Sequence, residues 1–262
     1  MNKIWSLLFF AVPVFGVGAF VIAPMINHWL PRDVSEHGYA IDHLFMFILW
    51  LTGGVFIVTE VALAYFLWRF DGRSNPDPVK FMHGSHSLEI VWTILPAATL
   101  LFIAIYQMNA WADTKMRKPP IPPTIEVTAR QFEWRLRYPG GDGMIGTPDD
   151  LFYVNDMHVP VNEDILVELK SQDVLHSFFL PNLRVKQDAV PGMKIPVWFK
   201  PKEIGVYDIV CAELCGWGHY KMKGRLTVET REQYEAWLAN LEKEQMATTE
   251  SKSKQPTDDE DE

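Results

Sequence analysis

The chain has 262 residues, 48% of them hydrophobic, and carries 24 Lys and Arg against 33 Asp and Glu, a formal net charge of -9. That length allows one or two domains, and the acidic balance excludes nucleic acid as the natural partner, because a phosphate backbone calls for a basic face. Two cysteines exclude a disulfide-rich scaffold without fixing the redox compartment.

Three apolar runs occupy the first 110 residues, at 4–26, 44–68 and 90–108. Each approaches or exceeds the ~20 residues a helix needs to cross a ~30 Å hydrocarbon core. The first is open to two readings. Lys3 ahead of an apolar stretch has the look of a signal peptide, but no small-x-small site ends it and the stretch is long for such a segment. A retained helix over residues 1–28 is the favoured reading and cleavage near 25–30 the alternative. The second run carries Glu60, a costly group at membrane depth that should meet a partner subunit or pair within the bundle. His43, at the outer mouth of that run, reads as an interfacial residue. The third run contains Pro96, tolerable where neighbouring helices pack, and opens with Glu89, on its own an interfacial charge.

Charge sets the orientation. Arg32 stands against Asp33, Glu36 and Asp42 between runs one and two, which suits the outside. Arg69, Arg73 and Lys80 between runs two and three suit the inside, as does Lys3. The C-terminal part then lies outside, in the periplasm if the membrane is a bacterial inner membrane.

Pro119, Pro120, Pro122 and Pro123 form a stiff spacer after the last run. Short extended runs follow at 125–138, 151–154, 165–169, 195–199, 205–210 and 225–228, punctuated by turns at Pro139–Gly140 and Pro191–Gly192. Many short strands with such turns predict an antiparallel sandwich or small barrel over 124–230. A closing helix is expected over 231–245. Thr230 and Gln233 are spaced for a capping box, and Tyr234, Trp237, Leu238 and Leu241 form one apolar stripe. That stripe reads as core or docking surface rather than a cofactor site. Residues 246–262 are polar, end in an acidic run, and are expected to be disordered.

Both cysteines fall within CAELCGWGHYKM, residues 211–222. Cys211, Cys215, His219 and Met222 are four soft or borderline ligands within twelve residues. Thiolate with thioether favours copper, whereas zinc gains little from methionine. Gly216 and Gly218 let such a loop wrap round an ion. Upstream, His176 in VLHSFFLPNL ends another apolar run. One copper would use one cysteine, two histidines and a weak methionine. The second cysteine permits two thiolates to bridge two coppers, each taking one histidine, so that one electron is shared and the charge change spread. A zinc site and a Cys211–Cys215 disulfide or free thiols remain alternative readings of the spacing.

These residues resemble subunit II of the haem-copper cytochrome c oxidases. The motif C-x-E-x-C-x3-H-x2-M is matched in full by Cys211, Glu213, Cys215, His219 and Met222. DVLHSFFLPNLRVKQDAVPG, from Asp173 to Gly192, is similar to the family's histidine segment, and LEIVWTILPA, from Leu88 to Ala97, to the start of its second membrane helix. The resemblance covers residues 42–241. It implies a membrane helical hairpin over 42–110, with run one as an extra element, and an all-β cupredoxin-like sandwich. It also implies a dinuclear CuA centre bridged by Cys211 and Cys215, with His176 and Met222 completing one copper and His219 and the Glu213 carbonyl the other. The Glu213 side chain would reach a magnesium or manganese ion at the boundary with subunit I. Glu89 would mark the inner mouth of a proton path. Electrons would pass from cytochrome c to CuA and on to the haem-bearing subunit I, where oxygen reduction and proton pumping take place, with other oxidase subunits and membrane lipid as further partners.

The resemblance has one departure. The family places QWYW or QWxW after the hairpin, its first tryptophan receiving electrons from the donor, whereas this chain reads QFEW, with Phe132 there, then Glu133 and Trp134. Phenylalanine lacks the indole and its N–H. The donor contact is therefore expected to involve Phe132 or Trp134, or to shift to Trp217 in the metal loop. With no fused haem domain after the closing helix, the donor is expected to be a separate protein. The copper ligands argue against quinol as direct donor. The alternative reading is a membrane-anchored copper-binding structural or copper-delivery module without a relay role.

Overall fold

The structure, a computed structural model, describes residues 2–70, 81 and 83–253; Arg73, Lys80 and the acidic end lie outside the described residues. The chain divides into two compact units: Met1–Pro31 with Ala40–Asn109, and Arg32–Tyr39 with Ala110–Glu262.

The first unit is built on α1 (Asn2–Met25), α2 (Gly38–Arg69) and α3 (His86–Tyr106), all long and apolar enough to cross a membrane. Their leucines, valines and phenylalanines are largely exposed, as expected of side chains whose solvent is lipid or a partner. The few hydroxyls are satisfied locally: Thr52, Thr59 and Thr99 each donate to the carbonyl four residues back at 2.8–3.0 Å. Run one packs on run two, with Ser6 Oγ donating to Ala64 O at 2.6 Å and Phe20 edge-on to Trp50 at 5.1 Å. Asn27, at φ 56°, ends α1 in the left-handed conformation common at helix C-termini. Phe47 packs against Phe102 and Tyr106 of α3 at 6.2 and 5.3 Å. One carboxylate oxygen of Glu60 is buried without a hydrogen-bond partner among the described residues, so that oxygen is not paired within the bundle.

The second unit is a β-sandwich. Its strands are β1 (Ile125–Arg130), β2 (Glu133–Tyr138), β3 (Leu151–Val154), β4 (Asp156–Pro160), β5 (Ile165–Ser171), β6 (His176–Leu180), β7 (Val185–Ala189), β8 (Ile195–Phe199), β9 (Gly205–Cys211) and β10 (Lys223–Glu229). They form two five-stranded sheets, ordered β3-β2-β1-β5-β8 and β4-β10-β9-β6-β7. Inward-facing Val127, Trp134, Leu136, Leu169, Phe178, Leu180, Ile209 and Leu226 are wholly buried between them. The sandwich is mixed rather than purely antiparallel: β1 pairs with β5, and β4 with β10, in parallel. Parallel neighbours need long crossovers, and intervening strands of both sheets supply them.

The run read as one extended segment, 125–138, is a hairpin: Arg130 pairs with Glu133 and the chain reverses at Gln131–Phe132. Residues 32–39 lie on the sandwich as an added strap. Val34 is buried, its N–H donating to Asn182 O at 2.9 Å and its carbonyl accepting from Lys202 N at 2.8 Å. A short helix, α4 (Met108–Lys115), is held by Trp198 Nε1 donating to Asp113 O at 3.0 Å.

The closing helix is α5 (Arg231–Ser253). Its capping box forms: Gln233 N donates to Thr230 Oγ1 at 3.2 Å and Thr230 N to Gln233 Oε1 at 3.0 Å. Tyr234 and Leu241 are buried, and the Trp237 ring stacks on His158 at 4.0 Å. The helix continues past residue 245, which corrects the expectation of disorder from 246 as far as Ser253. Residues 242–247 are strong helix formers, so polarity there marks an exposed helix rather than a tail.

Candidate metal centre

Strand pairing assembles the site. His176 is the first residue of β6, not the end of an apolar run, and Cys211 is the last of β9. These strands pair with Phe178 opposite Cys211, which brings the histidine ring to the cysteine: His176 Nδ1 lies 3.9 Å from Cys211 Sγ. The chain then loops through residues 212–218, makes a 3-10 turn over His219–Lys221 and re-enters the sheet as β10. That return sets His219 Nδ1 3.7 Å and Met222 Sδ 3.8 Å from Cys215 Sγ. The carbonyl of Glu213 lies 3.3 Å from Cys211 Sγ.

Both cysteines are free thiols, with their sulfurs 3.9 Å apart. Ligands on a tetrahedron with bonds of ~2.0–2.3 Å stand roughly 3.3–3.8 Å apart. The five distances from the two sulfurs to each other and to the neighbouring donors, 3.3–3.9 Å, therefore match donors that share ions. The donor set has two thiolates, two imidazoles, a thioether and a carbonyl, and this suits copper. His176, Cys215 and Met222 are buried, whereas Cys211, Glu213 and His219 are partly exposed. Ligand atoms of His176, Cys211 and Cys215 lie within 4.8 Å of one another.

The two thiols differ. Burial acts to raise the Cys211 pKa, but the hydrogen bond with His176, backed by the Glu213 and Ser177 backbone, outweighs it and brings the thiol to about 6. Burial, followed by the Cys211 charge, pushes Cys215 up. His176 is shifted upward: burial opposes this, and its bonds to Cys211 and Asp173 prevail.

Asp173 was not singled out in the sequence. Its Oδ1 accepts from His176 Nε2 at 2.8 Å, and its Oδ2 accepts from Gln131 N at 2.8 Å. A carboxylate only accepts, so Nε2 carries a proton and Nδ1 is the nitrogen turned towards the sulfurs. Gln131 was missed as well: its side chain donates to Cys215 O at 2.6 Å. The nearest sequence signal was an aspartate three residues before a candidate ligand.

The remaining candidates scatter. Phe132 packs against the loop with its ring 5.3 Å from that of Trp217, which is 80% exposed. Trp134 is wholly buried, 6.4 Å from the His176 ring, and presents no surface to a donor. Glu89 lies in the first turn of α3, in the other unit, 3.4 Å from His86 Nδ1.

The transmembrane domain family of cytochrome c oxidase subunit II matches residues 25–110, and its periplasmic domain family matches residues 144–229. The alternative cytochrome c oxidase subunit 2 of Bradyrhizobium diazoefficiens is 32% identical over 246 residues, covering 83% of this chain and 86% of that protein. The chain belongs to the cytochrome c oxidase subunit II family. Cytochrome c oxidase subunit 2 of Cereibacter sphaeroides is also 32% identical, with 73% of each chain covered. The crystal structure of the periplasmic domain of subunit II of cytochrome oxidase of Bradyrhizobium japonicum superposes with a TM-score of 0.43 at 30% identity, covering 48% of this chain and 97% of that one. As a subunit II, the chain is a multi-pass membrane protein with an extracytoplasmic domain and a subunit of an oxidoreductase, with an electron-transfer role. The His176–Cys211–Cys215 cluster is its candidate copper site.

Proposed function

We propose that this chain is the electron-accepting subunit of a cytochrome c oxidase, taking electrons from cytochrome c at a dinuclear CuA centre and passing them to the haem-bearing subunit I for oxygen reduction coupled to proton pumping. The observation that carries the reading is the paired thiols, 3.9 Å apart, each with its own histidine at 3.7–3.9 Å. Cys211 and Cys215 would bridge two coppers, His176 and Met222 would complete one, and His219 with the Glu213 carbonyl the other. Bound there, such a centre supplies a one-electron site whose charge change is shared between two metals and two sulfurs.

The chain's own residues set the conditions. Asp173 holds the His176 tautomer, the buried Cys215 and Met222 keep water from their side, and Phe132 packs on the loop at Gly216 and Gly218. Trp217 is the residue we assign to the donor contact, because it is exposed within the metal loop while Trp134 is buried. The Glu213 carboxylate is assigned to a magnesium or manganese ion at the boundary with subunit I. Among the described residues no acidic cluster gathers round it, so that ion would take further ligands from subunit I. Glu89 is assigned to the inner mouth of the proton path.

Metal analysis of the complex purified from native membranes tests the reading. It predicts two coppers in this chain, removed together by Cys211→Ser or Cys215→Ser, and co-purification with a haem-bearing subunit. One tightly held zinc, or an isolated chain without haem partners, would overturn it.

A further inference from the structure

Gln131 lies outside the ligand set yet touches both halves of the site. Its Nε2 donates to Cys215 O at 2.6 Å. Its backbone N–H donates to Asp173 Oδ2 at 2.8 Å, and the other oxygen of that carboxylate receives His176 Nε2. The near end of the cysteine loop is tied separately, by Ala212 N donating to Ser177 O at 3.0 Å. The loop carries Gly216 at φ 130°, and a Cβ there would lie 2.8 Å from Gln131 Nε2, so the amide packs directly on the glycine backbone. The next residue, Phe132, fills the space beside Gly218.

We infer that Gln131 is a positioning residue of the metal centre, clamping the Cys215 loop to the turn that carries Asp173 and His176. The inference rests on the copper reading above. The two halves come from distant parts of the chain: Gln131 is 84 residues from Cys215 and 42 from Asp173. Without the clamp, the loop's far end around Cys215 is held by the Phe132 contact, while the near end stays tied beside His176 by the β6–β9 pairing and by Ala212 N donating to Ser177 O at 3.0 Å. Fixing the Cys215 carbonyl restrains the direction of its Cα–Cβ bond, and hence where Sγ stands relative to His176 and Met222. A centre that changes oxidation state without rearranging its ligands needs that kind of restraint.

The side chain's role is separable from its bulk. Methionine has the length and volume of glutamine but no donor, and lysine restores a donor at similar reach. The experiment uses the full-length chain in its complex, loaded with copper, and reads copper retention against a chelator, the EPR hyperfine splitting and the melting of the extracytoplasmic unit. Gln131→Met is expected to melt as the parent does, lose copper roughly 10–100-fold more readily, as removal of an outer-shell partner does, and show altered hyperfine splitting. Gln131→Lys is expected to recover copper retention. Parental retention and spectrum in Gln131→Met would overturn the inference and leave the copper reading intact. Copper loss in a folded Gln131→Lys equal to that in Gln131→Met would overturn it too. Failure of the parent chain itself to hold copper would remove the copper reading and the inference with it.

Discussion

Gly218 sits so close beneath Phe132 that a Cβ there would lie 2.5 Å from Phe132 Cδ2. The ring carbons Cε2 and Cγ would be at 2.7 Å as well, so the whole ring, not one flexible tip, would have to move. Gly218→Ala is therefore expected to cost about 1–3 kcal/mol, the usual penalty of overpacking, and to lift Phe132 from the loop. Melting of the copper-loaded protein checks this, and Phe132→Ala in the same chain should relieve the clash.

The metal-free site carries one reactive thiol. Cys211 is brought down to about 6, its hydrogen bond with His176 outweighing burial, while burial and the Cys211 charge push Cys215 up. At neutral pH, Cys211 is the thiolate and Cys215 keeps its proton. Iodoacetamide should label Cys211 alone, and the rate should fall as pH drops through about 6. Copper displaces the Cys215 proton throughout the neutral range, the His176 proton facing the sulfurs wherever the upward-shifted imidazole is charged, and the Cys211 proton as well below about 6. Apparent copper affinity should therefore fall more steeply on the acid side of that value. Proton release on copper addition, followed at constant pH, measures it.

Trp217 is 80% exposed and packs edge-on to Phe132 over the metal loop. Tryptophans so placed are frequent binding hot spots. Trp217→Ala should slow the bimolecular reaction with reduced cytochrome c by about tenfold, the equivalent of ~1.4 kcal/mol, and leave the copper spectrum unchanged. An unchanged bimolecular rate would place the donor contact elsewhere.

Trp237 joins α5 to the sandwich through rings on three sides: His158 at 4.0 Å, Tyr138 at 5.1 Å and Tyr153 at 5.5 Å. Trp237→Ala should destabilise the extracytoplasmic unit by about 2–4 kcal/mol, somewhat less than for a fully buried tryptophan. Limited proteolysis should then cut within α5 before any strand is lost.

The membrane helices were legible because length and apolarity suffice to mark them, and the ligands because soft residues are rare and here crowd into twelve positions. The turn at Gln131–Phe132 was not legible. It carries no glycine, asparagine or proline, so residues 125–138 read as one strand. That omission hid Gln131 and the packing of Phe132 on the loop, both consequences of the reversal. Asp173 was hidden for another reason: its role depends on β6 starting at His176, whereas the apolar pair Val174 and Leu175 makes that histidine read as the end of a run. The length of α5 was underestimated because polarity was read as disorder, although Met246 and Ala247 continue the helix formers of residues 242–245. Gln245 also has a tertiary role, bonding the backbone of Phe152 on β3 at 2.7 and 3.2 Å.

Cys211 and Cys215 are proposed to hold two coppers that share one electron. The most direct measurement is an EPR spectrum of the oxidised complex with its native copper. Shared copper should give a seven-line hyperfine pattern from one electron coupled equally to two copper nuclei, abolished by Cys215→Ser. A four-line mononuclear spectrum, or no copper signal in a protein containing zinc, would contradict it.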